Sequence, residues 1–240
     1  MNPPTPYGST AGSPQVLRLA ILVAGGSGTR MGADRPKQFL LLRGEPVLLH
    51  TLRRFADPAL GVADLVVVLP ADQLATWQAL CAQFNVAIPH RLVAGGATRW
   101  ASVKAGLAAL SDYPAGLVAV HDGVRPLVPR PVVERTYAAA AAHAAAAAAV
   151  PPKDSVRLVS AHGSSAQNRS RLRLMQTPQT FDIDLLRRAY ALPELATFTD
   201  DATVVDDLCR VQLVEGDYRN LKITTPEDLL VAEALLGAAP

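Results

Sequence analysis

The chain has 240 residues, half of them apolar and 18% charged, with a formal net charge of +2 and an isoelectric point near 8.7. That suffices for one large α/β domain with ample core. It excludes a nucleic-acid partner on charge, since no basic run interleaves with aromatics. Cys81 and Cys209 cannot build a disulfide framework and lack metal-ligand spacing. No apolar run reaches the roughly 18 residues of a membrane span.

Residues 1–14 are rich in Pro, Gly, Ser and Thr, without the basic start and apolar stretch of a secretory signal. They read as a disordered tail, with cytoplasm as the default location and residues 15–240 as a single domain. Strands are expected at Leu17–Ala24, Asp64–Leu69, Ala87–Val93, Leu117–His121 and near Ala147–Val150. Helices are expected at Val47–Phe55, Ala71–Gln83, Thr98–Leu110 and Pro131–Ala146. This alternation predicts an α/β fold, Rossmann-like and doubly wound, with a mostly parallel sheet covered on both faces. From Pro151 to Pro178 the alternation gives way to an extended hairpin, with Val156–Val159 as one limb and Ser170–Leu174 as the other. An isolated hairpin is marginal in water, so residues 152–176 read as an arm that either folds home or meets a second subunit. Short helices at Ile183–Tyr190 and Asp200–Cys209, a strand at Val211–Val214 and a helix from Pro226 close the chain. Thr225 is a suitable N-cap there, and the macrodipole accounts for Glu227 and Asp228.

The first expected strand feeds the loop Ala24-Gly25-Gly26-Ser27-Gly28-Thr29-Arg30, followed by Pro36-Lys37-Gln38. Glycines at a strand mouth let backbone N–H groups approach phosphate oxygens. Arg30 and Lys37 add two cations, which suits a nucleoside triphosphate. Gly28 is followed by Thr29-Arg30 rather than Lys-Ser/Thr, so this is no P-loop. Met31 stands where a dinucleotide fingerprint needs glycine, and Thr29 where a nucleophile elbow needs it. Gly95-Gly96 and His121-Asp122 also fall at strand ends, the rim where such sheets bind ligands.

Together these segments make the chain similar to nucleotidyltransferases that activate sugar and polyol phosphates. It most resembles the 2-C-methyl-D-erythritol 4-phosphate cytidylyltransferase family, over Leu17 to Leu236. The resembling motifs are the glycine loop with Pro36-Lys37, Gly95-Gly-Ala-Thr-Arg99-Trp-Ala-Ser102-Val103, His121-Asp122-Gly123-Val-Arg125-Pro126, Thr199-Asp-Asp-Ala202 and Lys222-Ile-Thr-Thr-Pro-Glu-Asp228.

The resemblance implies that Arg30, Lys37, Arg169 and Lys222 are catalytic. It implies nucleotide contacts from Ala24, Gly25, Gly26, Gly28, Gly95, Gly96, Ser102 and Gly123. Acceptor contacts fall to Asp122, Arg125, Ser155, Arg169, Thr199 and Lys222. It further implies CTP and a polyol phosphate as substrates, Mg²⁺ held mainly through the triphosphate with Asp122 as its protein ligand, and a homodimer formed through the arm. Arg99 has two readings, a structural ion pair or a ligand contact, and Arg169, Arg171 and Arg173 could all be solvated arm charges. The chain departs from the family pattern at Ala97, Gly123, Val124 and Ser155. The alternatives are a cytidylyltransferase for another polyol phosphate such as ribitol 5-phosphate, a sugar 1-phosphate nucleotidyltransferase, or a catalytically silent nucleotide-binding protein.

Overall fold

The computed structural model describes residues 16–25 and 35–237. The expected tail and most of the glycine loop, including Gly26, Gly28 and Arg30, lie outside the described residues. The chain starts with β1 (Arg18–Val23), then a small hairpin of β2 (Leu41–Leu42) and β3 (Glu45–Pro46), and α1 (Val47–Phe55). There follow β4 (Val62–Leu69), α2 (Leu74–Gln83), β5 (Arg91–Ala94), α3 (Arg99–Ala108) and β6 (Leu117–Asp122). Next come α4 (Arg130–His143), β7 (Ala145–Val150), the hairpin β8 (Arg157–Ser160) and β9 (Gly163–Ala166), and β10 (Leu174–Asp182). The last elements are α5 (Ile183–Ala191), α6 (Asp201–Val205), β11 (Gln212–Glu215) and α7 (Pro226–Gly237).

Seven strands form the central sheet in the order β11-β7-β10-β6-β1-β4-β5. All neighbours are parallel except β10, which runs antiparallel to both β6 and β7. The period of two along β1 divides the core. Ala20 and Leu22 face a layer with Leu48, Leu52, Phe55, Trp77 and Tyr137, while Leu19, Ile21 and Val23 face Val103, Leu107, Leu186 and Tyr190. A third cluster joins Leu42 and Val47 to Ile223 and Ala232, which docks the start of α7 beside the β6 rim.

Four expectations need correction, the first being the strand expected at Ala87–Val93, which begins only at Arg91 and runs to Ala94. The alanine tract does not continue as helix to Ala146: α4 ends at His143, Ala144 takes a left-handed φ of 64°, and β7 begins at once. Alanine favours helix, but pairing on both sides with β10 and β11 and complete burial override that weak propensity. The hairpin also has a different register. Ser160 pairs with Gly163, whose φ of 127° closes a tight turn, so the returning limb is Gly163–Ala166 and not Ser170–Leu174. Arg169–Arg171 is instead a 3₁₀ turn, and Leu174 opens β10. That central strand escaped the sequence reading because Pro178 argues against a strand interior; it sits between Met175 and Gln179, where the pairing with β7 shifts register, after a cis peptide bond. Last, α6 stops at Val205 rather than Cys209.

Candidate functional site

The strand ends on one rim supply the site. Ala24 N–H donates to Val68 O, Gly95 N–H to Leu69 O and Gly123 N–H to Val23 O, so the segments leaving β1, β5 and β6 are laced together (2.9, 2.8 and 2.8 Å). Above them lies a cavity of about 360 Å³ walled by Gly25, Lys37, Gly96, Ser102, Asp122 and Lys222, among others. Beside it is a second cavity of about 230 Å³, reached by Arg125, Gln176 and Thr199. Arg99, Asp122 and Lys222 line both and form the wall between them.

Each wall residue is placed by local structure. Lys37 opens a 3₁₀ turn pinned by buried Gln38 and Phe39; Gln38 donates to Gln73, and Phe39 stacks on Trp77 with centroids 6.2 Å apart. Thr98 caps α3 by accepting from Ala101 N–H at 3.0 Å. That start presents Arg99 to the cavity, and one turn on Ser102, whose hydroxyl donates to Thr98 O at 2.9 Å. Ile223 is buried and its N–H donates to Val124 O at 2.9 Å, which fixes the extended segment carrying Lys222. Asp228 accepts from Thr224 N–H and Thr225 N–H at 2.8 and 2.9 Å, so it closes the start of α7, as its expected structural role requires.

The charges form one network. Asp122 Oδ2 lies 3.0 Å from Lys222 Nζ and 3.1 Å from Arg125 Nε, and Oδ1 lies 3.7 Å from Arg99 Nε. Burial opposes the Asp122 charge, but Lys222, Arg99 and Arg125 outweigh it and hold the carboxyl well below the usual range. Arg99 also makes a two-pronged pair with Asp201, at 2.9 and 2.6 Å. Burial disfavours the Arg99 charge, and the two carboxylates more than offset that. Arg99 is therefore ion-paired, the first of its two readings, and it also lines both cavities. His121 is buried against Phe55, and burial pushes it down to about 3. It accordingly stays neutral and serves as scaffold.

The remaining expected residues are less central. Gly123 is buried below the cavity, where an added Cβ would come within 2.8 Å of Ala24 Cβ and 2.9 Å of Leu48 Cδ1. Arg125 is largely buried and donates to Asn220 O at 2.8 Å. Ser155 and Arg169 lie exposed on the arm, and Arg169 Nη1 donates to Lys153 O at 2.8 Å rather than reaching either cavity wall. The sequence reading missed Asp201, Gln179 and Asn220. Asp201 stood inside the quoted Thr199–Ala202 motif, but its pairing with Arg99 spans a sequence separation of 102 and has no local signal.

A doubly wound sheet with glycine turns at its carboxyl rim, and cations gathered around Asp122 between two cavities, defines a nucleotidyltransferase. Residues 18–238 match the family described as IspD, 2-C-methyl-D-erythritol 4-phosphate cytidylyltransferase, and the chain belongs to that family. A 2-C-methyl-D-erythritol 4-phosphate cytidylyltransferase of Porphyromonas gingivalis is 48% identical over 221 residues, covering 91% of this chain and 97% of that one. One of Bacteroides fragilis is 44% identical over 92% of this chain and 100% of its own. The crystal structure of the Thermus thermophilus enzyme superposes with a TM-score of 0.71 at 35% identity, covering 92% of this chain and 100% of that one. Among the described residues no helix is long and apolar enough to cross a membrane.

Proposed function

We propose that the chain transfers CMP from CTP to 2-C-methyl-D-erythritol 4-phosphate, releasing pyrophosphate, in cytoplasmic isoprenoid precursor synthesis. The supporting observation is the shared wall: Arg99, Asp122 and Lys222 face two adjoining cavities, one for each anionic substrate. The larger, beside Gly25, Gly96 and Ser102, suits the nucleotide; the smaller, beside Thr199 and Arg125, suits the polyol phosphate.

An acceptor phosphate oxygen then bonds to the α-phosphorus as the bond to the bridging oxygen of pyrophosphate breaks. The acceptor phosphate is already an adequate nucleophile, so the protein's task is alignment and charge neutralisation. Lys37 lies on the nucleotide side, where charge accumulates on the leaving group, and Lys222 lies between the substrates. Arg30 is proposed to act with Lys37.

Among the described residues no cluster of three or more His, Cys, Asp or Glu side chains gathers to cage a metal. Asp122 nevertheless lines both cavities, and one carboxylate beside phosphate oxygens suits Mg²⁺. Bound there with the triphosphate, Mg²⁺ would neutralise phosphate charge. The arm is proposed to pair two copies, bringing Ser155 and Arg169 to the partner's acceptor cavity.

The test is pyrophosphate release with CTP and Mg²⁺, comparing 2-C-methyl-D-erythritol 4-phosphate with ribitol 5-phosphate. Turnover confined to the former is expected. Turnover with ribitol phosphate alone would overturn the acceptor, and CTP binding without turnover would overturn the activity.

A further inference from the structure

Asp201 has no side-chain exposure, yet helix geometry does not require its carboxylate. Asp200 is the N-cap of α6: it accepts from Thr203 N–H at 2.9 Å, and the Thr203 hydroxyl reaches back to the Asp200 N–H, so the capping box is complete without Asp201. Gln179 in β10 clamps the same turn, its amide donating to Asp200 Oδ2 and its carbonyl accepting from Ala202 N–H, both at 2.8 Å. The turn that carries Asp201 is thus held twice over.

The Asp201 carboxylate faces outward from that clamp toward the site. Oδ1 accepts from Tyr190 hydroxyl at 2.6 Å and from Arg99 Nη1 at 2.9 Å, while Oδ2 takes Arg99 Nη2 at 2.6 Å. Tyr190 in turn stacks on Trp100, the residue after Arg99, with centroids 5.5 Å apart. Two of the guanidinium nitrogens are consumed by Asp201, and the Nε edge is left turned to Asp122 on the shared wall. A buried ion pair is weak evidence for stability, because desolvation offsets its attraction. What this pair does supply is a fixed guanidinium orientation, since a planar fork on a carboxylate has one preferred geometry.

We propose that Asp201 is a positioning residue for nucleotidyl transfer: it fixes Arg99 against Asp122, and so couples the acceptor-side turn at Thr199–Asp201 to the nucleotide-side start of α3. The coupling is direct because Thr199 and Asp200 line the smaller cavity, whereas Thr98 and Ser102 line the larger. Five charged groups meet here: Arg99, Arg125 and Lys222 against Asp122 and Asp201. Removing the Asp201 charge frees Arg99 to swing onto Asp122 in competition with Lys222. Substrate anions then meet a wall that keeps its cations but loses their placement. The inference rests on the transferase reading above.

The experiment is a double-mutant cycle of Asp201→Asn and Arg99→Gln, scored by kcat and by KM for both substrates. Each single variant is expected to lose about 10- to 100-fold in kcat with KM for CTP changed less, in keeping with a misplacement of about 1 Å. The double variant should lose no more than the worse single one, because Asp201 acts through Arg99. Asp201→Glu should recover part of the loss. Additive losses, or an unchanged kcat in folded Asp201→Asn, would overturn the inference. If Asp201→Asn does not fold, Tyr190→Phe removes one hydrogen bond from the same carboxylate, and an unaltered kcat there would equally overturn it. Lack of turnover in the unaltered chain would remove the transferase reading and this inference together, whereas additivity removes this inference alone.

Discussion

Lys222 Nζ stands 3.0 Å from Asp122 Oδ2 at the wall between the two cavities, with the lysine side chain 41% exposed and the carboxylate 10%. The carboxylate is anchored by Arg125 and screened by Arg99 from the other side, so the lysine is the movable partner of the three. An arriving phosphate competes with Asp122 for it without having to desolvate a deeply buried ion. Lys222→Met should therefore lower kcat/KM by about 10²–10³, as for loss of one charge-stabilising donor, with melting temperature little altered. Steady-state kinetics beside a thermal melt decide it; a large loss of stability with normal kcat/KM would mean that Lys222 serves the fold.

The neighbouring histidine predicts a pH dependence of stability. His121 Nε2 lies 3.2 Å from Arg125 O, which can only accept, so Nε2 carries the proton. Nδ1 then accepts from the Thr177 hydroxyl at 3.0 Å, and that same hydroxyl oxygen accepts from Asp122 N–H. A second ring proton would break this chain. With the folded pKa at about 3 against an ordinary 6.5, the unfolded chain binds the proton first as pH falls. Stability is accordingly complete well above pH 6.5 and declines as pH falls through 6.5 toward 3. Melting temperatures at pH 7.5 and pH 5 should differ in the native chain and differ less in His121→Gln.

Gly95 links fold to nucleotide binding through its neighbour. A Cβ there would sit 2.7 Å from Ser102 Oγ and 3.1 Å from Val68 Cγ1, and Ser102 is already committed to Thr98 O. Gly95→Ala should therefore displace the Ser102 hydroxyl from the cavity wall, weakening CTP binding about tenfold and costing about 1–3 kcal/mol of stability by overpacking. Calorimetric titration and denaturant unfolding measure the two effects; unchanged CTP affinity would remove Ser102 from the nucleotide contacts.

These relationships differ in how far the chain itself announced them. The strands that read well, such as β1 and β4, are carried by apolar runs at Leu19–Val23 and Leu65–Leu69 with Gly or Pro soon after, a signal complete within eight residues. The motifs at the rim were legible for the same reason, since glycine after a strand and acid at a strand end are local patterns. β7 was legible only in part: its end at Ala147–Val150 read as strand, but Ala145 and Ala146 are equally good helix, and their fate was set by β10 and β11 arriving from elsewhere. β10 was obscured by Pro178. Asp201 was invisible as a site residue because its role exists only through Arg99, 102 residues away.

The arm carries the last prediction. β8 and β9 are exposed at every residue, and Leu158 and Val159 are 63% and 77% exposed. Two strands alone bury too little apolar surface to stand in water, so a cover is required, and the proposed second copy would supply it. Leu158→Lys with Val159→Lys should then yield monomers by sedimentation, with CTP binding retained and turnover lost. If Arg169 serves the partner's site, Arg169→Ala and Lys222→Met chains, each inactive alone, should complement each other on mixing. A heterodimer has one site with both residues intact, so a random equimolar mixture recovers about a quarter of native activity under two-fold symmetry. Arg169 acting within its own subunit would give no recovery at all, because every site would then lack one of the two cations.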